Sequence, residues 1–499
     1  MNETPSAPLA VKRILPWLVA VAFLMESLDT TILNTAAPTM AESLGVAPLN
    51  MKAVLSSYTL SLAVFIPISG WMADRFGTRR VFASAIALFT LGSLLCGLAT
   101  DIDLLVACRI LQGMGGAMMV PVGRLTIVRT FERSELVRAM SFVAIPALVG
   151  PMLGPVVGGF IVAYFHWRVI FFVNLPIGLL GLYLVWRHLP DYRAGHVDRL
   201  DLVGLVLFGS GTALLSYVLE VFGEHTLSSG AMAGLLVLAL VLLGAYFRHA
   251  RDVPHPLLQL DLFQVRTFRS AMSGSFITRL GAGGLPFLLP LLYQVGLGYT
   301  PLQSGLLLMP QSIAAIALKT AMPHILTRLG YRRVLLWNTI GMGGTIMLFS
   351  TVGPHTPVPL IVLLAACFGF LASLQYTSMN TLAYADVPDE RSSMASTIAS
   401  TLQQMSLSFG VASASLVTAI FIPDRDHVSA GQLIHGIHSA LLALGSCTIL
   451  SALIFRELKP GDGSSVSRHE LSVAEVDGGT SRSTVPPHGR TASTPPGES

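Results

Sequence analysis

The sequence predicts an all-α membrane protein of fourteen transmembrane helices, arranged as two six-helix bundles with two further helices inserted between them. Three observations predict this. Hydrophobic residues make up 53% of the 499-residue chain and charged residues only 12%, with a mean hydropathy of +0.67, whereas a soluble domain carries about 25% charge. Fourteen stretches are long and apolar enough to cross a bilayer, which takes about 20 residues. A basic seven-residue pattern recurs at a matching place in each half of the chain.

The spans are expected at residues 14–36, 54–73, 81–99, 104–122, 139–163 and 169–186 in the first half. Two more follow at 202–221 and 231–247, the second of them short. The last six are expected at 270–296, 304–322, 334–352, 358–382, 394–420 and 437–455. The first stretch is long, carries Glu26 and Asp29 and lacks a small-residue cleavage site, so it reads as a span and not as a cleavable signal peptide.

The basic residues test this count, because loops on the cytoplasmic side carry an excess of Lys and Arg. With a cytoplasmic N-terminus, 21 Lys and Arg residues up to Lys459 fall in cytoplasmic segments, and only Lys52, Arg168 and Arg425 fall in outer loops. One missed helix would invert every later loop, so the bias supports an even count with both termini cytoplasmic. The expected division is a cytoplasmic N-terminus (1–13), an N-terminal bundle (14–187), two inserted helices with their loops (188–269), a C-terminal bundle (270–456) and a tail (457–499). That tail is rich in Ser, Thr, Gly and Pro from about residue 460 and is expected to be disordered.

Composition also excludes function classes. The net charge of +4 is distributed by topology, and no basic run interleaved with aromatics marks a nucleic-acid surface. Cys96, Cys108, Cys367 and Cys447 lie in apolar stretches with no metal or disulfide spacing. No GxxxxGK[ST] loop is present for ATP hydrolysis. Neither a cofactor nor a metal is expected, and the chain does not read as an enzyme.

The second span closes on Gly70-Trp71-Met72-Ala73-Asp74-Arg75-Phe76-Gly77-Thr78-Arg79-Arg80. Glycine permits a tight loop, and Asp74 can cap the next helix or pair with an arginine. Gly70, Asp74, Arg75, Gly77, Arg79 and Arg80 are candidates for a charge network that latches two helices. A plain basic anchor is the alternative. The pattern returns as Thr327-Arg328-Leu329-Gly330-Tyr331-Arg332-Arg333, identical at four of seven positions to Asp74–Arg80.

Arg109 lies within the fourth span, in Cys108-Arg109-Ile110-Leu111-Gln112-Gly113-Met114-Gly115-Gly116-Ala117. A mid-membrane charge costs on the order of 2.5–3.5 kcal/mol even on the lenient scale. A carboxylate, carbonyls or a wet cavity must offset that, unless the side chain snorkels to the surface. In the fifth span Gly150-Pro151-Met152-Leu153-Gly154-Pro155-Val156-Val157-Gly158-Gly159 sets glycines every four residues and two prolines that allow bending. Such a seam suits two bundles that rock, or ordinary small-residue packing.

Together these segments resemble the major facilitator superfamily: its loop motif between spans two and three, its span-four arginine motif and the Gly-Pro motif of its exporters. The first span, with Glu26-Ser27-Leu28-Asp29-Thr30-Thr31-Ile32-Leu33-Asn34 at its centre, is similar to that of the fourteen-span drug:proton antiporter family (EmrB/QacA-like). So is the start of span six, His166-Trp167-Arg168-Val169-Ile170-Phe171-Phe172-Val173-Asn174-Leu175-Pro176. Within that family the segments Gly116–Thr126 and Ser378-Met379-Asn380-Thr381-Leu382 resemble the MdtD-type exporters. The resemblance covers residues 14–456. It implies the major facilitator fold and proton-coupled multidrug efflux across the inner membrane of a bacterium.

Proton coupling needs a group that gains and loses a proton as access alternates, and desolvation brings buried carboxylates toward neutral pKa. Asp29 is the candidate principal proton carrier, assisted by Glu26 three residues away on the same helix face, with Arg109 as electrostatic partner. A purely structural pairing of Asp29 with Arg109 is the alternative. Gln112, Arg124, Arg279, Gln294, Gln311, Lys319 and Asn380 are candidates for the substrate cavity, joined by Gln375 and Gln403 as polar groups that could instead bind helix to helix. Arg279 and Lys319 would repel a lipophilic cation and attract a carboxylate or phosphate. They keep open a second reading, export of an organic anion such as a carboxylate metabolite or its metal chelate. A sensor without transport is disfavoured by the featureless tail. The expected partners are the bilayer, protons and a small-molecule substrate, with a monomer as the expected unit.

Overall fold

A computed structural model describes residues 9–131, 133–193, 197, 199–221, 228–388, 391–421 and 430–463. The described chain is helical, because a backbone crossing lipid must pair its own N–H and C=O groups. Fourteen long helices follow one another: α1 (Leu9–Leu44), α2 (Pro48–Phe76), α3 (Thr78–Leu98), α4 (Ile102–Thr130), α5 (Arg133–Tyr164), α6 (Val169–His188) and α7 (Leu202–Val221). Then come α8 (Ser229–Asp252), α9 (Arg266–Gly296), α10 (301–329), α11 (331–348), α12 (Val358–Leu382), α13 (Ser392–Ile420) and α14 (Ala430–Ser451).

Among the described residues, eleven are long and apolar enough to cross a membrane on length and composition alone. The other three are α1; α5, whose part Val149–Tyr164 is also apolar; and α13, which is rich in Ser, Thr and Gln. Each packs against helices of the opposite bundle, α1 on α9, α5 on α10 and α13 on α2.

Breaks fall where the sequence removes a backbone donor or a side chain. Pro67 sits in a 3₁₀ turn, Ile66–Ile68, within α2. Gly283 and Gly284 divide α9 before Pro286 and Pro290, and a π turn, Leu292–Gly296, ends it. The internal repeat is visible in the backbone. Gly77 takes φ 95° and ψ 142° between α2 and α3, and Gly330 takes φ 69° and ψ 163° between α10 and α11. Each loop also docks on the segment that follows the last helix of its own half. Thr78 exchanges hydrogen bonds with Pro190 and Tyr192 after α6, while Tyr331 packs against Gly463 after α14.

These contacts move two expected boundaries. Residues 190–193, assigned from sequence to the inserted unit, belong with the first bundle. The second bundle likewise runs past the expected tail start at 457. Leu458 is 1% exposed, and Asp462 accepts two hydrogen bonds from Arg266 at 2.9 and 2.5 Å. Apolar burial and an ion pair hold this segment, against the expectation from composition. The rest of the tail lies outside the described residues. The eighth span, expected to be short, is a 24-residue helix. Ser228 caps its start and the charged turn Arg248–Asp252 extends it beyond the apolar stretch.

The inserted pair is peripheral but anchored. Helix α8 packs on α7, while α7 also contacts α2 and α13; Ser216 of α7 lies 3.5 Å from Ser408 of α13, whose hydroxyl donates to the Ser56 carbonyl of α2 at 3.1 Å. At the start of α7, Asp201 gathers the pair: it accepts from Gly204 N–H (2.7 Å), Leu257 N–H (3.1 Å) and His249 Nε2 of α8 (2.7 Å).

Candidate functional site

The densest polar cluster inside the first bundle is built from α1, α3, α4 and α6. Arg109 Nη1 donates to Asp29 Oδ2 at 2.6 Å and to Gln112 Oε1 at 2.7 Å. Gln112 Nε2 returns to Asp29 Oδ1 at 2.9 Å, and Asn174 Nδ2 donates to the same oxygen at 3.2 Å and to Ser93 Oγ at 3.0 Å. The guanidinium lies 4.1 Å from the Tyr58 ring centroid. Asp29 and Arg109 are each 1% exposed and Gln112 and Ser93 are fully buried, so Arg109 does not snorkel. Helical spacing explains the convergence: Arg109 and Gln112 share a face of α4. Gly92 allows α3 to reach the Gln112 backbone, where a Cβ would stand 2.7 Å from Gln112 Cα.

The sequence expectation for Arg109 included a carboxylate partner, and the structure brings it to Asp29. Gln112, grouped from sequence with the substrate cavity, is instead enclosed in this pair, because its amide is the right length to bridge carboxylate and guanidinium. Glu26 stands one turn away and is half-buried. Arg124 is exposed, 5.4 Å from the Phe23 ring.

At the basic end of the bundle, Asp74 accepts from Arg129 Nη2 at 2.5 Å, tying α2 to α4. Gly77 has no room for a side chain, since a Cβ there would overlap Asp191 Oδ1. Asp191 in turn accepts from the Arg79 N–H at 3.2 Å and from Arg193 at 3.0 Å. Arg79 lies 5.9 Å from the Trp186 ring centroid. Gly70 faces open space. Arg75 and Arg80 are exposed or nearly so. The partners Arg129 and Asp191 were not among the sequence candidates; both read as ordinary loop charges.

The Gly-Pro segment of α5 makes two contacts. Side chains added at Gly150 and Gly154 would overlap Ser27 and Thr31 of α1, and one at Gly158 would overlap the Ile32 carbonyl. Thr31 Oγ1 reaches the Gly150 carbonyl at 3.3 Å. On the other side Gly159 meets Pro301, Gly305 of α10 meets Pro155, and Ser312 donates to the Pro151 carbonyl at 3.0 Å. Gln294 of α9 donates to the Thr35 carbonyl of α1 at 2.8 Å. These bridges join the bundles from mid-membrane to the face opposite the basic loops.

In the second bundle Arg279 is 6% exposed. Its Nε donates to Ser275 at 3.1 Å and its guanidinium lies 3.9 Å from the Tyr376 ring centroid. Lys319 donates to Thr377, the next residue of α12, at 2.6 Å. Among the described residues no carboxylate pairs with either cation. Gln375 is fully buried and bonds to Thr339 and Asn338, binding α11 to α12. Gln311 is half-buried against Gly369, Gln403 is half-buried, and Asn380 is exposed.

The chain matches the model of the Major Facilitator Superfamily over residues 19–411 and 271–476. It is 41% identical over 449 residues, 89% of this chain and 94% of that protein, to the "Putative multidrug resistance protein MdtD" of Escherichia coli O7:K1 (strain IAI39 / ExPEC). It is 40% identical over 442 residues, 88% of this chain and 93% of that protein, to the protein of the same name from Klebsiella pneumoniae (strain 342). Among solved structures it is similar to the POT family transporter PepTSo, with a TM-score of 0.66 at 16% identity over 89% of this chain and 97% of that one. It is also similar to a bacterial homologue of the human lysosomal transporter Spinster in an inward-facing, unoccupied conformation, with a TM-score of 0.63 at 13% identity over 94% of this chain and all of that one. These two likenesses carry the fold alone. The chain belongs to the major facilitator superfamily and is a multi-pass membrane transporter, not an enzyme.

Proposed function

We propose that the chain is a proton-coupled antiporter that exports small molecules by alternating access, of the multidrug efflux type. The observation that carries the reading is the buried Asp29–Arg109 pair. A carboxylate fully enclosed in a transporter interior is expensive to keep unless it is paired or does work. Protonating Asp29 cancels one charge of the pair and leaves Arg109 seeking another partner, so proton occupancy and helix arrangement become linked. The bridges from Gln294, Ser312, Gly159 and Gly305 join the bundles toward the face opposite the basic loops, which suits a state closed on that face. Asp74–Arg129, which ties α2 to α4, and the Gly77–Asp191 contact support the proposal of Gly70, Asp74, Arg75, Gly77, Arg79 and Arg80 as a charge network that latches helices on the basic side. The multidrug class follows the names of the relatives. By the basic-loop bias, that side is cytoplasmic, in the inner membrane of a bacterium, with both termini inside.

The test is transport in inside-out membrane vesicles. An imposed pH gradient, acid inside, drives accumulation of a cationic dye such as ethidium by the wild-type chain, and Asp29→Asn abolishes it. Accumulation that ignores the gradient, or an Asp29→Asn variant that transports at full coupled rate, overturns the proposal.

One observation favours a second reading. The four terminal N–H groups of Arg279 have no acceptor among the described residues, and Lys319 has only a hydroxyl. An organic anion would satisfy both cations. Uptake of a tricarboxylate by the same vesicles, lost in Arg279→Gln, would establish that reading in place of cation export.

A further inference from the structure

Resting on the proton-coupling reading of Asp29, we infer that Asn174 is the positioning residue whose carbonyl accepts the hydrogen bond of protonated Asp29, and that its amide relays the protonation state from α1 to the link between α3 and α6. Every neighbour of the carboxylate constrains where a proton can sit. Oδ2 faces the Arg109 cation at 2.6 Å, so the proton goes to Oδ1. Two amides point N–H groups at Oδ1, from Gln112 and Asn174. A carboxylic O–H there needs an acceptor, and one of these amides must turn over to provide it.

Gln112 cannot turn without loss. Its carbonyl already accepts from Arg109 at 2.7 Å and from the Cys96 thiol at 3.7 Å. Asn174 is different: both of its hydrogen bonds come from Nδ2, and its carbonyl has no partner among the described residues. Turning Asn174 brings that carbonyl to the position from which Nδ2 now contacts Asp29 and Ser93. It then accepts the Asp29 O–H and, from Ser93, a second O–H.

The Ser93 hydroxyl at present donates to the Phe171 carbonyl at 3.0 Å. Phe171 lies in the first turn of α6, Val169–Phe172, just before the helix resumes at Asn174. Protonation thus redirects the Ser93 hydroxyl from the Phe171 carbonyl to Asn174, both on α6, and leaves α3 and α6 one hydrogen bond in place of two; deprotonation restores both. No atom is consumed; the proton enters on Oδ1 and leaves from it. The titratable groups around Asp29 are Arg109 on α4, Tyr58 on α2, Cys96 on α3 and Glu26 on α1 itself. Helix α6 contributes the neutral Asn174 to the cluster, and α5 meets α1 through glycines.

The experiment is infrared difference spectroscopy of the full chain in lipid, acid against neutral pH, with the Asp29 band assigned by its absence in Asp29→Asn. The wild type is expected to show a hydrogen-bonded carboxylic C=O band together with a side-chain amide band that moves with it. In Asn174→Leu the carboxylic band shifts to higher wavenumber and the amide band is lost. Asn174→Gln, which keeps an amide and guards against misfolding of the Leu variant, restores both at least in part. A carboxylic band unmoved in both variants overturns the role of Asn174 while leaving Asp29 as proton carrier. No Asp29 band at any pH overturns the carrier reading itself, and this inference with it.

Discussion

Asp29 of α1 and Arg109 of α4 meet at 2.6 Å with neither side chain reaching solvent. Removing one member of such a pair leaves an uncompensated buried charge, at a cost of about 3–5 kcal/mol. Asp29→Ala is therefore expected to lower the unfolding midpoint in detergent sharply. Asp29→Asn, which keeps an oxygen facing Arg109, is expected to lower it less. Arg109→Lys is not expected to rescue function, because a single ammonium cannot span Asp29, Gln112 and the Val54 carbonyl as the guanidinium does. Paired thermal unfolding and dye-efflux measurements check these orders.

Two glycines of one loop motif are expected to differ. Gly77→Ala combines a positive φ, which costs a non-glycine residue at least about 1–2 kcal/mol, with an overlap on Asp191. Gly70→Ala adds a methyl group in open space within a helix, where alanine is favoured by roughly 0.5–1 kcal/mol. Folded yield in membranes should fall for the first and hold or rise for the second.

The α1–α5 seam yields a rescue experiment. An alanine at 154 meets the Thr31 side chain, whereas one at 158 meets the Ile32 main-chain carbonyl. Thr31→Ala should therefore restore much of the stability lost in Gly154→Ala. No side-chain change at Ile32 should restore Gly158→Ala. Equal recovery of both would mean that the seam is looser than described.

The sequence made the helix count legible because lipid forces every span to be apolar and helical, and basic loops alternate with them. It made Asp29 and Arg109 legible as charges that must find partners. It left Asn174 and Ser93 unmarked, although Asn174 lies in a quoted motif, because a neutral amide in an apolar helix looks the same whether it binds another helix or an acid. Arg129 was hidden among the topological arginines, and its pairing with Asp74 depends on two helix ends that are 55 residues apart in the chain. Helix ends were read short because polar final turns do not look like membrane.

Asp201 gives a pH-dependent contribution outside the spans. Burial alone would raise its pKa, but the hydrogen bonds from His249, Gly204 and Leu257 outweigh burial and hold the carboxyl below its ordinary range. A carboxylate with a lowered folded-state pKa stabilises the fold above its unfolded value of about 3.9, and that contribution is lost as pH falls through the folded value. The wild type should thus lose more stability between pH 5 and strong acid than Asp201→Asn does. Melting curves across that range compare the two; parallel curves would remove Asp201 as a source of the acid sensitivity.

Direct detection of proton release tests the central claim. Adding substrate to purified transporter in weakly buffered detergent, with a pH indicator, should liberate protons from the wild type and none from Asp29→Asn at equal dye binding. Equal proton release from both would contradict the assignment of Asp29 as the coupling carboxylate.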